Sequence, residues 1–171
     1  MFGLFAKREK HESAPLTITA QGTEIHYDPN LISNFHDEHK ILLDLFGKIS
    51  ESANSGKFDE VKNYLNKFTK LLRSHLLKEN LKLYLYLQHA LSKDKESQKL
   101  VGNYRHEMQG IGKAVNAFVT KYRDSDFESD AQRSEFQREL DAIGPVLVER
   151  INNEENILYP LYDVPDSYKM M

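Results

Sequence analysis

A histidine and a glutamate four residues apart, His75 and Glu79, lie in the apolar helical stretch FTKLLRSHLLKENLKLYLYL (residues 68–87). Because a helix turns about 100° per residue, both side chains fall on the stripe that also holds Phe68 and Leu72, on adjacent turns. An imidazole and a carboxylate are ligands that first-row divalent metals accept, and they can also hydrogen bond to each other. The spacing therefore predicts either a metal site or a buried polar pair.

Other predicted helices place polar side chains on their apolar stripes in the same way. His39 lies near the middle of the first stripe, and Glu154 lies on the fourth, with Arg150 close beside it. In the third helix, periodicity directs His106 away from the stripe and puts Glu107 on its flank, so Glu107 is the better inward candidate. The apolar positions that define these stripes are, in the first helix, Ile32, Phe35, Leu42, Leu43 and Phe46; in the third, Leu100, Tyr104, Ile111, Val115, Phe118 and Tyr122; and in the fourth, Phe136, Leu140, Ile143, Leu147 and Leu158.

These inward groups carry more negative than positive charge. The carboxylates of Glu79, Glu107 and Glu154 carry three negative charges, whereas the guanidinium of Arg150 carries a single positive charge. Because a buried charge without a partner is very costly, we expect the groups to meet and their excess charge to be compensated. A bound cation, protonation of the histidines or protonation of a carboxylate would each achieve this. Imidazoles and carboxylates around open positions suit iron or another first-row divalent ion.

Four long amphipathic segments must position these residues. They run near 29–53, 58–91, 94–123 and 130–159, and short polar connections join them. Long helices with short connections predict an all-α fold, an antiparallel up-down four-helix bundle. The bundle is expected over residues 28–162, preceded by an extended N-terminal arm, residues 1–27, and followed by a tail, residues 163–171.

The composition excludes several kinds of chemistry. The chain has 171 residues and no cysteine, which rules out disulfides, thiolate metal sites and cysteine nucleophiles. A net charge of −3 gives no reason to expect nucleic acid as a partner. No stretch approaches the roughly 20 apolar residues of a membrane span, and the start lacks the features of a signal peptide, so we expect a cytoplasmic protein.

No nucleophile motif, phosphate-binding loop or nucleotide fingerprint is present either. We therefore expect a binding protein and not an enzyme. A peroxidase- or oxidase-like side activity would require an open coordination position on a metal.

Three stretches together resemble the hemerythrin-like (HHE cation-binding) family. They are FHDEHKILLDLF, which contains His39; SHLLKENLKLYLYL, which contains His75 and Glu79; and ERINNEENILYPLY, which contains Glu154. The resemblance covers roughly residues 28–162 and implies a four-helix bundle with a non-haem iron site of one or two ions. It further implies a sensing, storage or regulatory role, with dioxygen, nitric oxide or a metal ion as the ligand. The metal would be held by His39, His75, Glu79 and Glu154, with Glu107 as an additional ligand.

The sequence departs from the family pattern at two places. Arg150 stands where the fourth helix would carry a ligand histidine, and the third helix offers Glu107, or His106, where one or two inward histidines would stand. A single metal ion, a carboxylate-richer pair of ions and a metal-free site all remain open. With Arg150 beside it, Glu154 can also be a salt-bridge partner instead of a ligand.

A second resemblance concerns the last helix alone. The stretch SEFQRELDAIGPVLVERINNEENIL is similar to the last helix of the regulator of sigma D (Rsd/AlgQ) family, including its Glu149–Arg150 pair. This resemblance implies a metal-free or degenerate-site helical bundle that regulates transcription by binding a sigma factor. In that alternative, the same inward residues form a buried ionic network.

Overall fold

The computed structural model describes residues 25–164 and residue 168, and these residues form four helices. The first two are α1 (Leu31–Asn54) and α2, which runs as Phe58–Lys78, a π-helical segment Glu79–Tyr84 and Leu85–Ala90. The other two are α3 (Lys95–Arg123) and α4, which runs as Asp130–Asn153, a π-helical segment Glu154–Leu158 and a 3₁₀ turn Tyr159–Leu161. The predicted all-α four-helix bundle is confirmed, and each helix begins and ends within two residues of its predicted position. The predicted extended arm lies almost entirely outside the described residues.

Each helix packs antiparallel against the next, and α4 closes the bundle by returning to α1. At the α1–α2 turn Ser52 Oγ donates a hydrogen bond to Glu60 Oε2 at 3.1 Å. Gly56, at φ +71°, ends α1 in the left-handed conformation that glycine adopts without steric cost. A capping box starts α4, in which Ser129 and Gln132 bond each other's backbone N–H groups. These short connections hold consecutive helices side by side in the antiparallel arrangement.

A polar layer separates two apolar clusters in the interior. One cluster lies toward the α1–α2 and α3–α4 connections and includes Leu42, Ile49, Leu65, Phe68, Leu72, Val115, Phe136, Leu140 and Leu147. The other lies toward the opposite end and includes Leu31, Phe35, Leu83, Tyr86, Leu87, Val101 and Leu158. Near the junction of the two clusters lie the buried histidine, glutamate and arginine side chains of the described residues, five in number and on three helices: His39, His75, Glu79, Arg150 and Glu154. The clusters shield these polar groups from water on both sides, which makes their mutual pairing necessary.

The inward face of α3 differs from the predicted one. Leu100, expected on the apolar stripe, is 42% exposed, while Val101, Met108 and Gly112 are buried instead. The interior-facing stripe is therefore rotated by about one residue in the first half of this helix. As a consequence Glu107, which precedes Met108, is turned to the outside. Within the described residues, no helix combines the length and the apolar character needed to cross a bilayer.

Candidate metal centre

Four buried side chains from three helices converge in the polar layer. Helix α1 supplies His39, α2 supplies His75 and Glu79, and α4 supplies Glu154. Each offers one ligand atom, and these four atoms all lie within 4.8 Å of one another. The Nε2 atom of His39 is 3.1 Å from His75 Nε2 and 3.2 Å from Glu154 Oε2, and His75 Nε2 is 3.6 Å from Glu79 Oε1. We call these four residues the His₂Glu₂ cluster.

Two further carboxylates orient the imidazoles. The Nδ1 atom of His39 lies 2.7 Å from Glu155 Oε1, and the Nδ1 atom of His75 lies 2.8 Å from Glu38 Oε2. Because a carboxylate only accepts, each Nδ1 carries the proton, and a neutral imidazole then presents the lone pair of Nε2 to the cluster. Two such lone pairs 3.1 Å apart repel each other unless a cation or a proton lies between them. Carboxylate-oriented histidines of this kind are typical of metal ligands.

The electrostatic environment distinguishes the two histidines. Burial and the nearby charge of His39 lower the pKa of His75 to about 4, so His75 is a neutral imidazole at physiological pH. For His39, burial acts in the same direction, but hydrogen bonds to Glu154 and Glu155 outweigh it and raise the pKa. Of the alternatives left open by the sequence, protonation of both histidines together is thus disfavoured. A metal ion would replace the single proton that the two Nε2 atoms share.

Arg150 holds both cluster carboxylates from the side of α3. Its Nη2 donates to Glu79 Oε2 at 2.8 Å, its Nε lies 2.6 Å from Glu154 Oε1, and its Nη1 donates to the Met108 carbonyl at 2.8 Å. Each carboxylate thus has one oxygen on the guanidinium and the other near the histidines. Gly112 permits this approach, since a Cβ there would lie 3.2 Å from Arg150 Nη1. Even so, burial and the charge of Glu154 raise the pKa of Glu79 to about 8.

Both π-helical segments begin at a cluster carboxylate, Glu79 in α2 and Glu154 in α4. A π-turn adds a residue to the helical repeat, changes the register of the helix beyond it, and occurs frequently at functional sites. In α4 Glu155, the second residue of this segment, is partly exposed, and its long side chain reaches His39 from off the apolar stripe. Neither Glu155 nor Glu38 was predicted from the sequence. Each could have been suspected because Glu155 directly follows Glu154 and Glu38 directly precedes His39.

The structure brings together four of the five predicted ligands and leaves one apart. His39, His75, Glu79 and Glu154 form the cluster, and their ligation of a metal stays a prediction. Glu107 is exposed and lies outside the cluster because α3 presents Met108 and Gly112 to the interior, so we remove it from the ligand set. His106 is exposed too, in the direction that periodicity indicated.

The Glu38→Gln substitution tests the orienting role of the outer carboxylates. We expect it to weaken metal affinity about 10- to 100-fold, because glutamine accepts a weaker hydrogen bond from His75 Nδ1 and can stabilise the wrong tautomer. Competition with a chelator of known affinity measures the change, and Glu51→Gln, at an exposed position of the same helix, is the matched control. Equal affinities for the two variants would contradict the assignment.

The fold and the cluster together define a four-helix bundle whose buried histidines and carboxylates form a candidate cation site. Comparison with family models gives the family: the model of the hemerythrin HHE cation-binding domain matches residues 30–162. The chain therefore belongs to the hemerythrin HHE cation-binding domain family, as the motifs in α1, α2 and α4 predicted. Searches of curated proteins and of solved structures returned no match. Nothing in these comparisons supports the second resemblance, to the regulator of sigma D family, and the sigma-factor partner remains an untested prediction.

Proposed function

We propose that this protein binds one non-haem iron ion through His39, His75, Glu79 and Glu154, and that it acts in sensing, storage or regulation and not in substrate turnover. One observation carries the proposal: the two buried imidazoles direct their Nε2 atoms at one point, 3.1 Å apart, and each has its Nδ1 atom held by a carboxylate. A purely structural network would need a proton held permanently between these Nε2 atoms, because two lone pairs 3.1 Å apart repel each other, whereas a metal ion accepts both lone pairs.

The donor set supports iron among the first-row metals. Two imidazole nitrogens and two carboxylate oxygens, with no thiolate anywhere in the chain, match the ligands of non-haem ferrous sites. When bound, such an ion supplies a position at which a small ligand such as dioxygen or nitric oxide can coordinate. The buried Phe35 packs edge-on against the His75 ring, with ring centroids 5.1 Å apart, and gives this side of the site an apolar wall.

Arg150 supports one ion and not two. The guanidinium already occupies the side of Glu79 and Glu154 that faces away from the histidines, and it makes charge-assisted contacts of 2.8 and 2.6 Å with them. A second metal ion bridged by these carboxylates would have to displace a buried cation that also donates to the Met108 carbonyl. The site thus combines one position for an exchangeable metal ion with one permanent positive charge, the guanidinium of Arg150.

Metal analysis tests the proposal. Protein produced with added iron and purified without chelator is expected to contain about one iron ion per chain by mass spectrometry, as the single-ion geometry requires. Anaerobic addition of nitric oxide to the ferrous protein is expected to give the electron paramagnetic resonance signal of an iron–nitrosyl species. Iron-free protein that takes up no ferrous iron would contradict the proposed function, and two ions per chain would contradict the role given to Arg150.

A further inference from the structure

The Tyr159 hydroxyl lies inside the candidate metal centre, where neither periodicity nor the family match assigns it a role. Tyr159 is 2% exposed and starts the 3₁₀ turn that follows the π-helical segment of α4. Its Oη atom is 3.2 Å from His39 Nε2 and donates to Glu79 Oε1 at 3.1 Å. The phenol ring stacks on the His39 imidazole, with centroids 5.6 Å apart and planes at 12°, which fixes the direction of the hydroxyl.

These contacts match the geometry of the His₂Glu₂ cluster itself. The two atoms that Tyr159 Oη approaches are two of the four predicted ligand atoms, and its distances to them fall in the range found between cluster members, 3.1 to 3.6 Å. Tyr84 provides a contrast, because it is equally buried, yet its hydroxyl makes no hydrogen bond within the described part of the chain. Tyr159 therefore offers a fifth donor atom, an oxygen, directed at the same point as the other four.

We propose that Tyr159 is a fifth ligand that coordinates a ferric ion through its phenolate oxygen; this rests on the proposed function, since it requires iron in the cluster. The phenol O–H bond breaks, an iron–oxygen bond forms, and the proton leaves to solvent. Conversion of the ferrous ion to the ferric ion releases one electron, which a one-electron oxidant such as ferricyanide accepts. The consequence is a site that stabilises the ferric state and has a lower reduction potential than the same site without the phenol.

The charges around the site, which include the partly exposed Glu38, Glu155 and Lys78, agree with this ligand. Four carboxylates, those of Glu38, Glu79, Glu154 and Glu155, surround the ion position. When both histidines are neutral, a divalent ion together with the positive charges of Arg150 and Lys78 balances these four negative charges. Oxidation of the ion adds one positive charge, and loss of the Tyr159 proton adds one negative charge. Because uncompensated charge in a buried site is costly, phenolate ligation lets the ion become ferric without disturbing the balance.

Optical and vibrational spectroscopy test this inference. Wild-type protein is loaded with ferrous iron under anaerobic conditions and oxidised with one equivalent of ferricyanide. We expect a phenolate-to-iron charge-transfer band in the visible spectrum and iron-bound phenolate vibrations in resonance Raman spectra. Tyr159→Phe is expected to lose both signals and retain iron, whereas the matched control Tyr84→Phe retains the signals as well as the iron.

Three results would overturn the inference: ferric wild-type protein without phenolate vibrations, iron that stays ferrous after ferricyanide, or a band that persists in Tyr159→Phe. If Tyr159→Phe does not fold, the resonance Raman spectra of the wild type and of Tyr84→Phe test the inference instead. Phenolate vibrations in both support Tyr159, and their absence from either one contradicts it. Failure of the wild type to bind iron at all would instead contradict the proposed function, so the two failures are distinguishable.

Discussion

The His75→Ala variant is expected to lose stoichiometric iron while its four helices remain folded. The substitution removes one of the two Nε2 donors, and it leaves Glu38 without the imidazole that it orients. Loss of a direct ligand should reduce affinity by more than the about 10- to 100-fold that loss of an outer hydrogen-bond partner causes. Metal analysis after purification and chelator competition measure the loss, and circular dichroism verifies the fold.

The matched control for this substitution is His106→Ala. His106 lies on α3, is exposed, and is not part of the His₂Glu₂ cluster. We expect His106→Ala to bind iron with wild-type stoichiometry and affinity. If His75→Ala retains iron as well as His106→Ala does, the iron site lies elsewhere, and the two facing imidazoles serve only a structural purpose.

Replacing Arg150 by methionine is expected to lower the free energy of unfolding of the chelator-treated protein by about 3–5 kcal/mol. Arg150 is 4% exposed and pairs with Glu79 and Glu154, so its removal takes the guanidinium hydrogen bonds and positive charge away from two buried carboxyl groups. It also leaves the Met108 carbonyl without its donor. Methionine keeps much of the side-chain volume, so the loss reports on charge and hydrogen bonding more than on packing.

The pH dependence of this loss provides an independent readout. The pKa of Glu79 is raised to about 8, first by burial and then by the charge of Glu154. Below that pH, Glu79 is mostly protonated in the folded wild-type protein and depends less on the guanidinium. Above it, Glu79 is ionised in the folded wild type and requires its partner. We therefore expect the stability difference between wild type and Arg150→Met to increase as the pH rises above about 8.

Chemical denaturation at neutral and at alkaline pH measures both effects. Arg138→Met is the matched control, since Arg138 is an exposed residue of the same helix, and its change should stay within about 0.5 kcal/mol. An Arg150→Met variant as stable as this control would show that the ion pairs around Glu79 and Glu154 contribute little. In that case, protonation of the buried carboxylates or entry of water would be sufficient to compensate their negative charge.

The sequence was sufficient to predict the bundle and five of the residues that meet inside it. Regular helical periodicity placed His39, His75 and Glu79 on inward faces, and the same rule placed Glu154 and Arg150 together. These predictions succeeded because His39 lies in a regular helix and each of the other residues precedes or begins the irregular part of its helix. His75, for example, lies in regular α-helix, four residues before the π-helical segment that Glu79 begins.

The 100° rule gives the direction of a side chain but not its reach. Glu155 lies off the apolar stripe and is partly exposed, yet its long side chain extends to His39. The rotation of α3 was missed for a different reason: Leu100 and Val101 are both apolar, and only packing decides which of them is buried. The error over Glu107 results from this rotation. The contact of Tyr159 with Glu79 depends on the register after the π-turn.

An anomalous-scattering map at the iron absorption edge, from crystals of iron-loaded protein, tests the central claim most directly. We predict a single peak between the Nε2 atoms of His39 and His75, within bonding distance of carboxylate oxygens of Glu79 and Glu154. Arg150 should remain on the far side of both carboxylates. No peak at this point, a peak elsewhere in the bundle, or two peaks with Arg150 displaced would contradict the claim.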